Sequence, residues 1–378
     1  MIWRGFANTF RAILTDRSAL LLLIGSAILY SFFYPTAYSG EVPERMPVVT
    51  VDLDHSGSSR SLATKLAAVQ SARLVARLAS PDEAMNWIAD RRASAAVIIP
   101  AGFEQRILRG EQGTVALFGN GAYLLRSSTA LAGVGSAIGA FGVEAATDQA
   151  MALGAPVPPP LALIQRPLFN TREGYGSTIF PGVAFLIIHQ TLLMGLALLA
   201  GTVRERYGMR RMTPSALLGV ALAFFVIGCA DVAYFTGFVF WFQDYPRAQG
   251  NVAALLVSAA AFIAATVAGA LALASFVRTR ERPIQLWIVT SVPIFFLSGL
   301  SWPVEATPDW LALFGRLLPT TPGIHLMVGV NQMGASLTEQ WPELANLLAL
   351  ILLYGTIALL RLAHRGRGES DGEAAAGP

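Results

Sequence analysis

The chain has 378 residues, of which 54% are hydrophobic and only 13% are charged, and its net charge is +3. An ordinary soluble domain carries about 25% charged residues, and the mean hydropathy of this chain is +0.53. These values exclude such a domain and indicate an integral membrane protein. The single cysteine, Cys229, excludes a disulfide framework and is interpreted as a small apolar residue within a span.

The first 17 residues predict an amphipathic helix at the cytoplasmic surface of the membrane. Its apolar stripe, at helical spacing, consists of Ile2, Phe6, Phe10 and Ile13. The apolar run that follows predicts the first transmembrane helix at 18–38. A basic segment before an apolar run is also typical of a cleaved signal peptide, but this run is long and ends in aromatic residues rather than in a clear cleavage site. We therefore interpret it as a retained anchor.

The segment 39–175 is much more polar and predicts an α/β domain. Runs of β-branched and apolar residues predict strands at 48–54, 73–79, 95–100 and 114–119. Helices are predicted at 56–70, at 80–93 and, as a long helix of small residues, from about Tyr123 to Leu153. A Pro-rich connector at 154–160 and a last strand at 161–170 are predicted to lead back to the membrane.

Five further apolar runs are long enough to cross a bilayer, because a hydrocarbon core of about 30 Å needs roughly 20 residues of helix. The predicted spans lie at 179–201, 215–242, 251–277, 283–300 and 344–363. The polar tail 364–378 is predicted to be disordered. The fold class is therefore a polytopic α-helical membrane protein with six transmembrane helices and an inserted α/β domain.

The distribution of arginine predicts that both termini are cytoplasmic. Every second loop between the predicted spans is basic, as the positive-inside rule requires of six spans. The basic segments carry Arg4, Arg11, Arg17, Arg204, Arg206, Arg210, Arg211, Arg278, Arg280, Arg282, Arg361, Arg365 and Arg367. The 39–175 domain would then lie outside the cytoplasm, since long translocated domains do not follow the charge rule.

The predicted fifth span ends in helix-breaking residues and is followed by more apolar sequence. Irregular backbone at membrane depth is tolerated only against protein or a cavity. We predict short re-entrant outer helices over 308–337, because the apolar segments there are too short to span. The residues expected to shape this region are Gly299, Trp302, Pro303, Pro319 and Pro322. An ordinary surface loop packed on the outer domain is the alternative.

The sequence contains no recognisable catalytic motif. Lys65 is the only lysine and has no Gly-rich phosphate loop before it, and the four histidines lack metal-ligand spacing. The stretch "DLDHSGSS" (52–59) places Asp, His and Ser side by side, but adjacent residues in a turn do not form a catalytic triad. We expect turn chemistry there, and neither enzyme activity, a metal site nor a nucleic-acid partner for the chain.

Polar residues inside the predicted spans are the remaining candidates for function. Asp231 lies within the third span, where a carboxylate is costly unless it faces protein or water. His189 and Gln190 lie in the middle of the second span. All three are candidates for a translocation path, and hydrogen bonding between helices is the alternative.

Several segments together resemble ABC-2 type ABC-transporter permeases, in the subgroup with a large extracytoplasmic domain between the first two transmembrane helices. The segments that carry this resemblance are 47–59, 97–121, 204–218, 296–311 and 317–337. The resemblance covers nearly the whole chain. The family's cytoplasmic loop usually reads E-R-E-x-G-T-x-E, whereas this chain reads "RERYGMRR" (204–211) and lacks the T-x-E.

The resemblance implies a permease subunit of an ABC exporter in a Gram-negative inner membrane. It implies a cytoplasmic ATPase that binds ATP and magnesium, a second permease copy that is identical or related, and work with a periplasmic adaptor; this chain would hold no cofactor. The expected ATPase-coupling residues are Arg204, Glu205, Arg206 and Gly208. Family substrates include drugs, polysaccharides, lipids and peptides, and the sequence does not choose among them. The alternative is a non-transporting scaffold whose outer domain binds a partner.

Overall fold

The computed structural model describes residues 1–40, 44–121, 124–152, 154, 169–170, 174–208, 211–247 and 251–363. The chain forms two compact units, and the second is inserted into the first. The membrane unit comprises Met1–Glu41 and Pro167–Pro378, and the inserted unit comprises Val42–Arg166. Of the predicted connector and last strand (154–160 and 161–170), only 154, 169 and 170 are described, and the tail 364–378 lies outside the described residues.

The membrane unit begins with helix α1 (Ile2–Thr15) and a first span that is helical throughout 17–37. The span consists of α2 (Arg17–Leu20), a π-helical turn (Leu21–Gly25) and α3 (Ser26–Ala37). Asp16 separates α1 from the span because its backbone is extended and its carboxylate accepts the N–H groups of Ser18 and Ala19. The span therefore begins one residue before its predicted start.

The inserted unit contains one four-stranded sheet in the order β2-β1-β3-β4. The strands are β1 (Met46–Asp52), β2 (Ala72–Leu78), β3 (Ala95–Ile99) and β4 (Ala116–Gly119). β1 pairs in parallel with β2 and β3, and β4 pairs antiparallel to β3. The helices are α4 (Gly57–Ala67), α5 (Pro81–Ala89), α6 (Phe103–Leu108) and α7 (Leu124–Ala152). The pattern of residues did not predict α6.

Alternation along β1 builds a core on each face of the sheet. Val48 packs with Phe141 of α7 on one face, whereas Val49 and Val51 pack with Ala84 of α5 on the other. Helices cover both faces of the sheet, which explains why its central strands β1 and β3 read as apolar runs.

The turn chemistry expected of "DLDHSGSS" ties two helix N-termini together. Asp54 accepts the N–H groups of Phe103 and Glu104 at 2.9 and 3.0 Å. Glu104 in turn accepts the N–H and the hydroxyl of Ser58 at 2.9 and 3.0 Å. The Asp, His and Ser of this stretch therefore serve a structural turn, in which His55 adopts a left-handed backbone conformation.

The chain returns to the membrane unit in α8 (Tyr175–Tyr207), which is its central helix. The most apolar stretch of α8 is 83% buried, whereas those of the other span-length helices of this unit are at most 50% buried. The third span runs through α9 (Pro214–Ala233), a second π-helical segment (Tyr234–Val239) and α10 (Phe240–Phe242). The fourth and sixth spans are α11 (Val252–Ala274) and α15 (Trp341–Leu362).

Six helices in the described part of the chain are long and apolar enough to cross a membrane, but they are not the six predicted spans. Five of them correspond to the first, second, third, fourth and sixth predicted spans. The other is α7, which packs along the sheet of the inserted unit. The predicted fifth span, 283–300, is the shorter helix α12 (Arg282–Leu297). Its 16 residues reach about 24 Å, and it ends early because Gly299 is left-handed, with φ 77°.

Short helices follow α12, as expected. After a 3₁₀ turn (Val304–Ala306) come α13 (Asp309–Gly315) and α14 (Thr320–Asn331). Pro319 and Pro322 are buried, whereas Trp302 and Pro303 are exposed. α14 is almost entirely buried within the core of the membrane unit, where Gly323 lies against the ring of Phe262. This placement disagrees with the surface-loop alternative for α14.

Helix α1 packs closely against the start of α9. A Cβ atom built on Gly219 would lie 2.4 Å from the carbonyl oxygen of Ile2 and 2.7 Å from the backbone nitrogen of Phe6. A Cβ atom on Gly5 would likewise lie 2.8 Å from the carbonyl oxygen of Ala216. Only glycine allows the two helix backbones to approach so closely.

Candidate transport site

A cavity of about 530 Å³ lies between the first span, α8 and α12. Most of its wall is aliphatic or aromatic, and no described residue that lines it is Asp, Glu, Lys, Arg or His. Its polar atoms come from hydroxyl, amide and indole groups of Ser18, Ser26, Tyr30, Tyr34, Trp287, Gln190, Thr191 and Ser291. We call this space the membrane cavity. Its chemistry suits an uncharged or amphipathic molecule better than a polyanion.

The helices around the membrane cavity leave apolar surface uncovered. Leu29 and Phe33 of the first span are 61% and 60% exposed, and Ile288 and Val289 of α12 are 69% and 73% exposed. In a membrane unit, such surface faces either lipid or another transmembrane helix. The membrane cavity is therefore at the periphery of the unit rather than at the centre of the helix bundle.

The structure brings only one of the three predicted path residues to the membrane cavity. Gln190 lines it, whereas its neighbour His189 is 3% exposed in the packed interior. Neither ring nitrogen of His189 has a hydrogen-bond partner among the described residues. The side chains of adjacent residues on a helix point about 100° apart, so the two residues face different surroundings. The sequence treated them alike because it does not show which face of this apolar helix is buried.

Asp231 also lies apart from the membrane cavity. It is 8% exposed on α9, and its Oδ2 atom has no hydrogen-bond partner in the described part of the chain. The π-helical segment begins three residues later, at Tyr234, and π-helical turns are frequent at functional sites. The Tyr234 hydroxyl lies 2.9 Å from the Ser31 hydroxyl of the first span. Sequence reasoning missed this contact between the two helices, which no motif indicates.

A second group of polar residues joins three chain segments at the basic ends of the helices. Arg280 forms a bidentate ion pair with Asp16 and donates a further hydrogen bond to Thr202 Oγ1 at 2.7 Å. The backbone N–H of Arg280 also donates to Glu205 Oε1 at 2.9 Å. We call Asp16, Thr202, Glu205 and Arg280 the loop cluster. The hydrogen bonds from Arg280 hold the pKa of Asp16 below its ordinary value, and Asp16 raises the pKa of Arg280.

The predicted coupling residues are helical rather than part of a loop. Arg204, Glu205 and Arg206 form the last turns of α8, which ends at Gly208 with φ 74°. α8 continues past its predicted end at residue 201, and the left-handed backbone of Gly208 ends it. The Arg204 guanidinium donates to the carbonyl groups of Ala274 and Val277 at the C-terminal end of α11. Glu205 belongs to the loop cluster, and Arg206 is exposed.

At the opposite ends of the helices, the region predicted to be re-entrant packs around His325. A Cβ atom built on Gly299 would lie 2.8 Å from His325 Nε2, and His325 Nδ1 lies 3.9 Å from Glu343 Oε1. Sequence reasoning did not select His325. In the described ranges, no group of three or more His, Cys, Asp or Glu side chains is placed to hold a metal ion.

Span-length helices around an uncharged cavity, with an α/β unit inserted after the first span, define a multi-pass membrane protein. The chain belongs to the ABC-2 family of transporter proteins, whose family model matches residues 17–360. The resemblance stated from the sequence is thus confirmed for the family, and the chain is a transporter permease by family.

Two kinds of relatives match the chain. The inner membrane transport permease YhhJ of Escherichia coli is 23% identical over 374 residues, which cover 93% of this chain and 94% of that protein. The permease of the same name from Shigella flexneri matches equally well. ABC transporter G family member 20 of Dictyostelium discoideum is 24% identical over 121 residues, which are 32% of this chain and 17% of that protein. No solved structure matches the chain.

Proposed function

We propose that this chain is the permease subunit of an ABC exporter in a bacterial inner membrane. It moves substrate outward with energy from ATP that a separate cytoplasmic ATPase hydrolyses with magnesium. The observation that carries this proposal is the membrane cavity, about 530 Å³ in volume and lined by three membrane helices without a charged side chain. The similarity to an inner membrane transport permease over almost the whole chain supports the same role and location.

The substrate enters the path at the membrane cavity. Tyr30, Tyr34 and Trp287 offer ring faces for stacking, and Gln190 and Ser291 offer hydrogen bonds that orient a ligand. The absence of charge from the described lining favours an uncharged or weakly charged amphipathic substrate. A scaffold that does not transport needs no cavity between its membrane helices, so the cavity favours a transporter over the non-transporting scaffold.

A second permease copy covers the exposed apolar surfaces of the first span and α12. Two copies related by symmetry would place their membrane cavities on either side of one central path. The ATPase binds at the basic ends of the helices, near α1, the loop cluster and the exposed Arg206. On this orientation both termini are cytoplasmic, and the inserted unit lies outside, where a periplasmic adaptor can bind it.

The test is ATP-driven transport in inside-out membrane vesicles. The chain is expressed with its proposed ATPase subunit, and uptake of neutral and anionic fluorescent dyes is measured with and without ATP. We expect ATP-dependent uptake of neutral amphipathic dyes that vanishes when either subunit is omitted. Equal uptake without this chain would contradict the proposal. Co-purification of the ATPase without any transport would favour the scaffold.

A further inference from the structure

A second cavity, distinct from the membrane cavity, lies along α9, α11 and α15. Its volume is about 350 Å³, and every described residue that lines it is apolar. Gly355 keeps it open on α15, since a Cβ atom built there would meet no heavy atom within 4 Å. Leu218, Leu222 and Leu359 along its rim are between 39% and 48% exposed. We call it the lipid groove, because hydrocarbon is the solvent at this position in a transmembrane unit.

One end of the lipid groove is basic. Arg361 follows the lining residues Ala358 and Leu359 within one helical turn. Its Nε donates to Ser275 Oγ at 3.0 Å, and its guanidinium carbon lies 3.9 Å above the ring centre of Phe276. The hydrogen bond uses one of the five N–H donors of the guanidinium. The planar group is thus fixed in orientation while donors remain for a ligand.

Two more arginines lie at the same end. The N–H of Met212 donates to the carbonyl of Leu362 at 2.8 Å, which places the exposed Arg211 beside the end of α15. The guanidinium of Arg204 caps the carbonyls of Ala274 and Val277, which flank Ser275. These contacts place three arginines at the adjoining ends of α11 and α15.

None of Arg204, Arg211 and Arg361 forms an ion pair with a carboxylate among the residues that the structure describes. The carboxylates of Asp16 and Glu205 are bound by Arg280 of the loop cluster. Within the described ranges, no carboxylate therefore compensates the positive charge at this end of the lipid groove. Arginine binds phosphate through parallel N–H donors, and a basic group at the membrane surface attracts anionic lipid.

We propose that the lipid groove binds one anionic phospholipid, with its phosphate at Arg361 and its acyl chains along the apolar wall of α9, α11 and α15. The apolar groove and the uncompensated charge at its end match the two parts of such a molecule. A free phosphate would make no contact with the apolar wall, and an uncharged lipid would not neutralise the arginines. This inference does not depend on the direction of transport or on the ATPase.

The test uses the purified full-length chain in detergent, titrated with phosphatidylglycerol or phosphatidylcholine, with bound lipid counted by native mass spectrometry. We expect the chain to prefer phosphatidylglycerol, and Arg361→Gln to weaken its binding about fivefold. Gly355→Leu changes no charge but narrows the groove, and should also weaken binding. Arg282→Gln on α12 is the matched control and should bind like the unsubstituted chain. Thermal unfolding shows that each variant is folded.

Three results would overturn the proposal. Equal binding of phosphatidylcholine and phosphatidylglycerol would mean ordinary lipid packing without recognition of the headgroup. Competition by inorganic phosphate at concentrations similar to those of phosphatidylglycerol would assign a free-phosphate site instead. Unchanged phosphatidylglycerol binding in Gly355→Leu would show that the lipid does not occupy the groove. This result is decisive even if Arg361→Gln fails to fold.

Discussion

Arg280 binds Asp16 through two parallel hydrogen bonds, from Nη1 to Oδ2 at 2.6 Å and from Nη2 to Oδ1 at 2.9 Å. The two residues are far apart in the chain, and the bidentate geometry fixes both side chains at once. Asp16 is also the N-cap of the first span, and Arg280 contacts Thr202 and Glu205 at the end of α8. The loop cluster thus fixes the start of the first span against α8 and the segment before α12, the three elements that surround the membrane cavity.

Asp16→Asn should lower the free energy of unfolding of the membrane unit. The amide cannot replace the two charge-assisted hydrogen bonds, and partial exposure of the pair limits the loss to about 1 kcal/mol. The thermal unfolding midpoint of the purified chain measures the effect. Glu281→Gln makes the same charge change one residue from Arg280 and should shift the midpoint less. Equal shifts in both variants would show that the ion pair does not stabilise the unit.

The contribution of this pair should depend on pH in one direction only. Arg280 depresses the folded-state pKa of Asp16 below its ordinary value of 3.8. The stabilisation is therefore complete above that value and is lost as the pH falls through the folded-state pKa. The raised pKa of Arg280 keeps the guanidinium charged at alkaline pH. The stability difference between the unsubstituted chain and Asp16→Asn should stay constant from about pH 6 to 9 and shrink only in acid. A difference that falls between neutral and alkaline pH would contradict this assignment.

Gly219→Ala should destabilise the packing of α1 on α9. The added methyl group would overlap backbone atoms of Ile2 and Phe6, which cannot rotate away, so we expect a loss of about 1–3 kcal/mol. Gly237→Ala, where a Cβ atom meets nothing within 4 Å, is the control. There alanine should be neutral or stabilising, because it restricts the unfolded chain. Unfolding in denaturant compares the two variants, and similar losses would argue against the close helix crossing.

Labelling of single cysteines tests the proposed orientation. In a Cys229→Ala background, Glu111→Cys places a thiol on an exposed position of the inserted unit, and Glu281→Cys places one beside the loop cluster. An impermeant maleimide applied to the periplasmic side should modify the first and not the second. Modification of Glu281→Cys from the periplasmic side would show that the orientation in the membrane is the reverse of the proposed one.

Periodicity and composition predicted the elements whose folding depends mainly on local sequence. The apolar runs predicted five of the span-length helices, and runs of β-branched and apolar residues predicted the strands of the inserted unit. The signal was clearest for β1 and β3, because burial on both faces leaves few polar positions in them. The short helix α6 was missed, because its N-terminus depends on Asp54, about fifty positions earlier in the chain. α7 shows the limit of composition, since small apolar residues suit both a span and a helix packed on a sheet.

The candidate site was predicted only where the residue itself carried the signal. Gln190 was selected as a polar residue in a span, and it does line the membrane cavity. The remainder of the lining consists of serine, threonine, tyrosine, tryptophan and aliphatic or aromatic residues that are ordinary in membrane helices. Their convergence depends on how three distant segments pack, which no local pattern encodes. The Asp16–Arg280 pair was missed for the same reason. In the sequence, Arg280 indicated only that its loop is cytoplasmic, and no local pattern connects it to Asp16.

The central claim, that the membrane cavity is the transport path, is tested most directly by filling it. Ser291→Trp on α12 adds a bulky ring to the lining, whereas Leu352→Trp adds the same ring on α15, at a position that is 72% exposed and outside the lining. ATP-driven dye uptake is measured for both variants with their ATPase, at equal amounts of assembled complex. We predict that Ser291→Trp lowers uptake at least tenfold and that Leu352→Trp leaves it unchanged. Full uptake by Ser291→Trp would contradict the assignment of the path.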